Sequence, residues 1–327
     1  MSETANVKNT LLEVKNLKMH YTSDREVIHA VNGVSFTLGE EETLGLVGET
    51  GAGKTSIAKS ILGVLEERAA HIDGGEIIFK GRDLLKLTDD EMNKVRGFNI
   101  SMIFQDPMTA LNPTRTIGNQ IAECIMIHNK IDKAEGDKRA MEMLEKVGIP
   151  RTRFNEYPHQ FSGGMKQRVI IAMALCCNPD LLLADEPTTA LDVTIQAQVL
   201  DIIRELRAKY KTSMILITHD LGVVAQMCDK VAVVYAGEIV EYGPLREVFK
   251  NPTHPYTVGL FGALPNMNIN SRRLTTIKGL PPDPTNLPEG CKFNPRCKQC
   301  MEGCKSGSVS YVDLGNNHFC KCLKAQH

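Results

Sequence analysis

Thr43-Leu-Gly-Leu-Val47 runs directly into Gly48-Glu-Thr-Gly-Ala-Gly-Lys-Thr55, and a helix-like pattern follows. A short apolar run, a glycine-rich turn and a periodic segment in that order predict a buried strand, a loop and a helix over Lys54–Glu66. The loop satisfies G-x-x-x-x-G-K-[ST]. Gly48, Gly51 and Gly53 let the backbone double back and aim several N–H groups at one point. With the helix N-terminus, those donors make a nest for phosphate groups. Contacts to a nucleotide are expected from Gly48, Glu49, Thr50, Gly51, Ala52, Gly53, Lys54, Thr55 and Ser56. Lys54 can reach the β- and γ-phosphates, and Thr55 can offer its hydroxyl to Mg²⁺. The bland alternative, a glycine-rich turn with a chance lysine, leaves the strand before it and the helix after it unexplained.

Working outward, Leu11–Leu46 reads as short β segments, and Glu76-Ile-Ile-Phe79 before Lys80-Gly81 reads as an antiparallel edge hairpin. Pro107–Asn178 is mostly helical in pattern. Apolar strands return at Leu181–Ala184, Met214–Ile217 and Lys230–Val234, with a helix over Val193–Tyr210 between the first two. Strand, helix and strand at this spacing predict a parallel α/β sheet, with the helical block as a separate lobe.

Leu181-Leu-Leu-Ala-Asp-Glu186 ends an apolar strand in two carboxylates. Adjacent acids cannot both hide in a strand, so they belong at its C-terminal end, where α/β sheets place ligands. Asp185 would hold Mg²⁺ through water, and Glu186 would orient and polarise the attacking water. Asp-Glu after a strand is weak on its own, and becomes strong beside the phosphate nest.

Phe161-Ser-Gly-Gly-Met165, followed by Lys166-Gln167-Arg168, resembles the signature sequence of ABC ATPases, with Phe161 and Met165 departing from its usual Leu-Ser-Gly-Gly-Gln form. Ser162, Gly163 and Gly164 at a helix start offer a hydroxyl and two N–H groups, a second anion site. The resemblance implies that this site closes on the γ-phosphate held by a second subunit. It also implies that Gln105 in Ile103-Phe-Gln-Asp-Pro107 is the Q-loop glutamine, contacting Mg²⁺ and the attacking water. By the same resemblance His219 in Ile217-Thr-His-Asp220 is the switch histidine, Ala190-Leu-Asp192 the D-loop, and Tyr21 the ring stacked on adenine. Catalysis is thus expected from Glu186, His219 and Gln105, with ATP and Mg²⁺ as nucleotide and metal.

Asn251-Pro-Thr-His-Pro-Tyr-Thr257 and Ala263-Leu-Pro265 resemble the C-terminal extension of oligopeptide/dipeptide ABC importer ATPases. The Phe104–Met108 and Ala110–Asn112-Pro113 run is typical of the same group. The implied fold is an ABC-type P-loop ATPase: a RecA-like core, an antiparallel β subdomain, a helical signature subdomain and a small Cys-rich C-terminal module. The implied boundaries are 1–247 for the ATPase domain, with its helical part at about 107–178; 248–289 for an extension and Pro-rich linker; and 290–327 for the cysteine module. The implied partners are a second homologous ATPase, two transmembrane permease subunits and, indirectly, an extracytoplasmic peptide-binding protein.

Six of the ten cysteines crowd residues 291–327. In an intracellular nucleotide-binding protein such a cluster points to metal before disulfide. Cys291, Cys297, Cys304 and Cys322 could give four thiolates to one centre, suiting Zn²⁺ or an iron–sulfur cluster. The resemblance favours [4Fe–4S], with His318 and Cys322 as the closing element. Zn²⁺ stays open through Cys297-x-x-Cys300, and so does a reduced, metal-free tail. Cys300 and Cys320 are extra to the family pattern. Cys124, Cys176, Cys177 and Cys228 read as ordinary core residues.

With a net charge of -1, there is no electrostatic reason to expect nucleic acid. The polar start lacks a secretory apolar region, and Val169–Cys177 is far short of the ~20 residues that a spanning helix needs. Any membrane role is therefore expected through a partner, and the resemblance implies a peripheral location at the cytoplasmic face of the cell (inner) membrane. Competing readings are a nickel or other small-solute importer, a non-transport ABC ATPase acting on ribosomes or DNA, and a metal-sensing regulator. The last two fit poorly: there is one cassette, no long coiled-coil insertion, and both Glu186 and His219 are in place.

Overall fold

All five residues of Thr43–Val47 are buried, as a parallel strand covered on both faces requires. The computed structural model describes residues 9–23, 26–66, 68–189, 191–262 and 277–326. In chain order these form β1 (Thr10–Ser23), β2 (Glu26–Gly39), β3 (Thr43–Val47), α1 (Lys54–Leu62), β4 (Ala70–Phe79), β5 (Arg82–Asp83), α2 (Asp89–Val95), β6 (Ile100–Ile103), α3 (Pro107–Ala110), α4 (Ile117–Asn129), α5 (Lys133–Lys146), α6 (Gly163–Leu175), β7 (Leu181–Asp185), α7 (Val193–Tyr210), β8 (Ser213–Ile217), α8 (Leu221–Met227), β9 (Lys230–Tyr235), β10 (Glu238–Pro244), α9 (Leu245–Lys250), α10 (Pro255–Gly262), β11 (Val312–Asp313) and β12 (Phe319–Cys320).

Two compact units result. The first takes in Gly39–Glu42 and Lys86–Leu216. Its strands run in the order β8-β7-β6, with β6 and β7 parallel in the register Ile100↔Leu181 to Ile103↔Ala184. Asn99 Nδ2 donates to Asp180 Oδ2 at 2.8 Å and fixes the entry to both strands. Asp132 caps α5 by accepting from the Glu135 N–H at 2.9 Å. Helix α6 buries residues almost all round, Val169, Ile170, Ile171, Ala172, Ala174 and Leu175 among them, as a helix enclosed by its neighbours must. Each valine, isoleucine or leucine among them contributes about 2 kcal/mol through burial.

The second unit takes in Thr10–Leu38, Thr43–Leu85 and Ile217–His327. One of its sheets runs β2-β1-β4-β5. Along β1 the buried residues change parity, from Leu12 and Val14 to Leu17 and Met19. A single pleat cannot do that. The register against β4 slips between Lys15 and Lys18, and Asn16 there takes φ 46. This bulge turns the later apolar residues back toward the core. The other strands run β11-β12-β10-β9-β3. β3 and β9 are parallel, and β10 is antiparallel to both β9 and β12.

The expected antiparallel edge hairpin is present, β4 pairing with β5 at the sheet margin. Two sequence expectations need adjustment. The early β segments are two strands of 14 residues each. α1 stops at Leu62, not Glu66, because Gly63 takes a left-handed turn and its N–H closes on Lys59 and Ser60.

The C-terminal segments are gathered by one buried acid. Glu241 on β10 is fully buried. Its carboxylate accepts from the Thr253 N–H at 2.8 Å and the His254 N–H at 2.9 Å, and His318 Nε2 lies 2.8 Å away. A buried carboxylate needs such a full set of partners. Tyr235, Tyr256 and Phe293 pack ring to ring beside it, 4.6 to 5.5 Å between centroids.

Candidate nucleotide site and cysteine cavity

The Gly48–Thr55 loop leaves β3 and closes into α1 as the sequence predicts. A Cβ at Gly53, whose φ is +99, would stand 2.2 Å from the Ala30 carbonyl oxygen, and one at Gly48 would stand 2.1 Å from that of Val234. Only glycine fits either place. The Gly237 N–H donates to the Ala52 carbonyl at 2.9 Å and holds the loop from outside. Lys54 is buried and folds back across the loop, donating to the carbonyls of Gly48 at 2.8 Å and Glu49 at 2.9 Å. Thr55 and Ser56 stand in the first turn of α1, and the Ser56 hydroxyl lies 3.2 Å from that of Tyr21. The ring proposed for adenine is thus beside the start of α1. His219 is exposed directly after β8. Asp220 next to it caps α8 through the Gly222 and Val223 N–H groups.

In the first unit, Asp185 is buried at the end of β7 and Glu186 follows it half-buried. Gln105 Nε2 donates to Glu186 Oε2 at 3.0 Å, and Thr189 Oγ1 donates to the same oxygen at 2.9 Å. Two of the predicted catalytic residues therefore touch, and Thr189, which no motif marked, orients one of them. Ser162, Gly163 and Gly164 open α6, with Ser162 and Gly163 exposed. Ser162 Oγ accepts from the Met165 N–H at 3.4 Å, which leaves its own O–H to donate. Of the segment expected as the D-loop, Ala190 lies outside the described residues, as do Ala263–Pro265.

Cys291, Cys297, Cys304 and Cys322 line one small cavity, with His254 and Phe293. Cys300 and Cys320 are not among its lining residues. Cys320 is wholly buried on β12. His318 is committed to Glu241, so its expected role as a closing element for the thiols is not one of ligation. Burial pushes the Cys291 thiol up to about 11 and raises that of Cys297, so a metal centre here would have to displace protons. Among the described residues no group of three or more His, Cys, Asp or Glu is drawn close enough to hold a metal ion. The four thiols share the lining of this cavity, but the described residues do not draw them together as a metal-binding group. Of the cysteines read as core residues Cys228 is buried, whereas Cys124, Cys176 and Cys177 are half-buried; Cys176 and Cys177 Sγ lie 3.8 Å apart, and Cys177 Sγ donates to the Cys124 carbonyl at 3.6 Å.

Sequence reasoning passed over the groups that hold the loop from the C-terminal side. Arg296 Nη1 and Nη2 donate to the two Glu49 oxygens at 2.8 and 3.0 Å. The Glu49 N–H donates to the Tyr256 hydroxyl at 3.0 Å. Tyr256 lies inside the Asn251–Thr257 motif and Arg296 directly before Cys297, but nothing local connects either to a loop so far upstream.

Residues 31–189 match the family model described as ABC transporter, and residues 240–304 match that described as oligopeptide/dipeptide transporter, C-terminal region. The dipeptide transport ATP-binding protein DppD of Bacillus subtilis (strain 168) is 49% identical, over 95% of this chain and 94% of its own. The oligopeptide transport ATP-binding protein OppD of Salmonella typhimurium is 48% identical, over 94% and 92%. Among solved structures, the dimeric post-hydrolysis state of the ATP-binding cassette MJ0796 bound to ADP and Pi superposes with a TM-score of 0.65 at 28% identity, over 72% of this chain and 99% of that one. The fold is accordingly the ABC ATPase cassette, and the chain belongs to the ABC transporter ATP-binding proteins of the oligopeptide/dipeptide transport family.

Proposed function

We propose that this chain is the ATP-hydrolysing motor subunit of an importer for oligopeptides or dipeptides. The match of residues 240–304 to the oligopeptide/dipeptide C-terminal region weighs against the nickel or small-solute alternative. The observation that carries the catalytic reading is the Glu186 carboxylate, set at the end of β7 and held by Gln105 and Thr189. The Gly48–Thr55 loop and Lys54 bind the triphosphate, and Tyr21 packs on the adenine. Thr55, Asp185 and Gln105 would hold Mg²⁺, which neutralises charge on the β- and γ-phosphates. Glu186 draws a proton from the attacking water, and His219 steadies the γ-phosphate as the bond to the β-phosphate oxygen breaks.

Ser162, Gly163 and Gly164 of a second, homologous ATPase cap the γ-phosphate, so nucleotide joins the pair and hydrolysis parts it. Two permease subunits take up that motion, and a peptide-binding protein outside the membrane delivers the cargo. No described helix is long and apolar enough to cross a membrane. In this reading the permeases attach the chain peripherally at the cytoplasmic face.

The test is Glu186→Gln, assayed for phosphate release and for nucleotide retained on the protein. The expected outcome is turnover reduced about a thousandfold with ATP still bound, in line with the loss of a base and of transition-state positioning. Hydrolysis at the wild-type rate in that variant removes Glu186 from the reaction.

For the cysteine cavity we propose a [4Fe–4S] cluster on Cys291, Cys297, Cys304 and Cys322, with Zn²⁺ as the alternative. Anaerobic purification followed by iron, sulfide and zinc analysis decides between them. About four irons and four sulfides per chain is the expected result, and their absence sinks the cluster.

A further inference from the structure

Glu49 puts a negative charge on the loop that binds phosphates. It follows Gly48 directly, where an unpaired carboxylate opposes a polyphosphate. It is not unpaired. Arg296, 6% exposed at its side chain, meets it fork to fork at 2.8 and 3.0 Å. The rest of the guanidinium is also engaged. Its Nε donates to the Lys278 carbonyl at 3.2 Å, and its Nη1 lies 3.3 Å from the Tyr235 hydroxyl. The hydrogen bonds to Glu49 raise the Arg296 pKa, against the opposing effect of burial.

The backbone of Glu49 is held from the same direction by the Tyr256 hydroxyl. Pro281, Pro282 and Pro284 line a shallow pocket with Thr50 and Gly51, and the Pro284 carbonyl accepts from the His29 N–H at 3.0 Å. The proline-rich stretch is thus seated on the loop, and Arg296 is the residue before Cys297.

We infer that Arg296 is a positioning residue for nucleotide binding, acting through Glu49. It neutralises and orients that carboxylate so that the loop presents its N–H donors, and no bare negative charge, to the phosphates. The inference rests on the reading of Gly48–Thr55 as the phosphate site. It makes the C-terminal region part of the nucleotide site of its own chain. A bidentate pair needs the planar fork of arginine, and removing Arg296 leaves the half-buried Glu49 carboxylate uncompensated beside the phosphate site.

The test is equilibrium binding of Mg-ATP to the full chain by calorimetry, for wild type, R296Q, R296K, E49Q and R296Q/E49Q, with Lys54→Ala as control. R296Q is expected to weaken ATP about tenfold, the scale of one uncompensated charge near the phosphates. Adding E49Q to R296Q is expected to restore most of that loss, because the repelling carboxylate is then gone. R296K, which keeps the charge without the fork, is expected to lose distinctly less than R296Q. A role confined to folding the C-terminal region would not be rescued by E49Q. Wild-type affinity in R296Q, a loss that E49Q fails to recover, or an equal loss in R296K each overturns the inference. If wild type binds ATP and Lys54→Ala does not, any of those results leaves the phosphate site standing. If wild type binds no ATP, the phosphate reading itself falls.

Discussion

Glu186 takes φ 45, a left-handed backbone that costs a non-glycine residue about 1 kcal/mol. The strain persists because the turn is held at both ends. The Thr189 N–H donates to the Glu186 carbonyl at 3.1 Å, and the Thr189 hydroxyl holds its carboxylate. Thr189→Val keeps the first bond and removes the second. It should lower kcat about fivefold, the worth of one net hydrogen bond, with KM for ATP little changed in steady-state assays. An equal rise in KM would place Thr189 in binding instead. Asp185, Glu186 and the glycines of the loop were legible because their chemistry is local: a strand end and a tight turn each demand their residue types nearby. Thr189 and Arg296 were not. A hydroxyl three residues from its acid has no signature in a loop, and Arg296 and Glu49 are separated by 247 positions that only the folded chain closes.

At the scale of elements, α10 connects pH to the phosphate loop. His254, just before it, is buried, and its Nδ1 accepts from the Tyr256 N–H at 3.1 Å. Burial lowers the His254 pKa from 6.5 to about 4, against a smaller raising effect from Glu241 and with Lys321 lowering it further. The unfolded chain therefore binds this proton at a pH where the folded chain does not, and stability falls as pH drops from 6.5 toward 4. The shift corresponds to about 3 kcal/mol at the acid end. His254→Asn keeps an acceptor for Tyr256 and cannot take up the proton. Its stability in denaturant titrations should decline less than that of wild type between pH 6.5 and 4.5. Parallel declines would show that another group controls the acid limb. The bulge in β1 belongs to this scale too. The parity change from Val14 to Leu17 was present in the sequence, but short β segments explained it equally well until pairing with β4 fixed the register.

For the molecule as a whole, the ordered motifs were enough to predict an ABC cassette. Val193–Tyr210 is a helix over the span expected, and the strands flanking it, β7 and β8, are neighbours in one sheet. The C-terminal region was harder to read. Its turns, two-residue strands and prolines carry no periodicity, so sequence pattern could describe it only as a linker and a tail. Its packing depends on distant partners such as Glu241, Tyr235 and Glu49. Those partners are polar or aromatic residues whose pairing no local rule announces.

The antiparallel pairing of β12 with β10, Glu241 opposite Cys320, bears on how such cassettes are handled at the bench. Trimming the chain after Pro244, where the recognisable ATPase motifs end, strips a protective neighbour from one sheet margin. It also abandons a carboxylate whose hydrogen-bond donors all lie downstream. An open ladder beside an orphaned buried charge invites intermolecular strand addition. A minimal fragment chosen by motif alone is thus set up for precipitation, whatever its nucleotide chemistry.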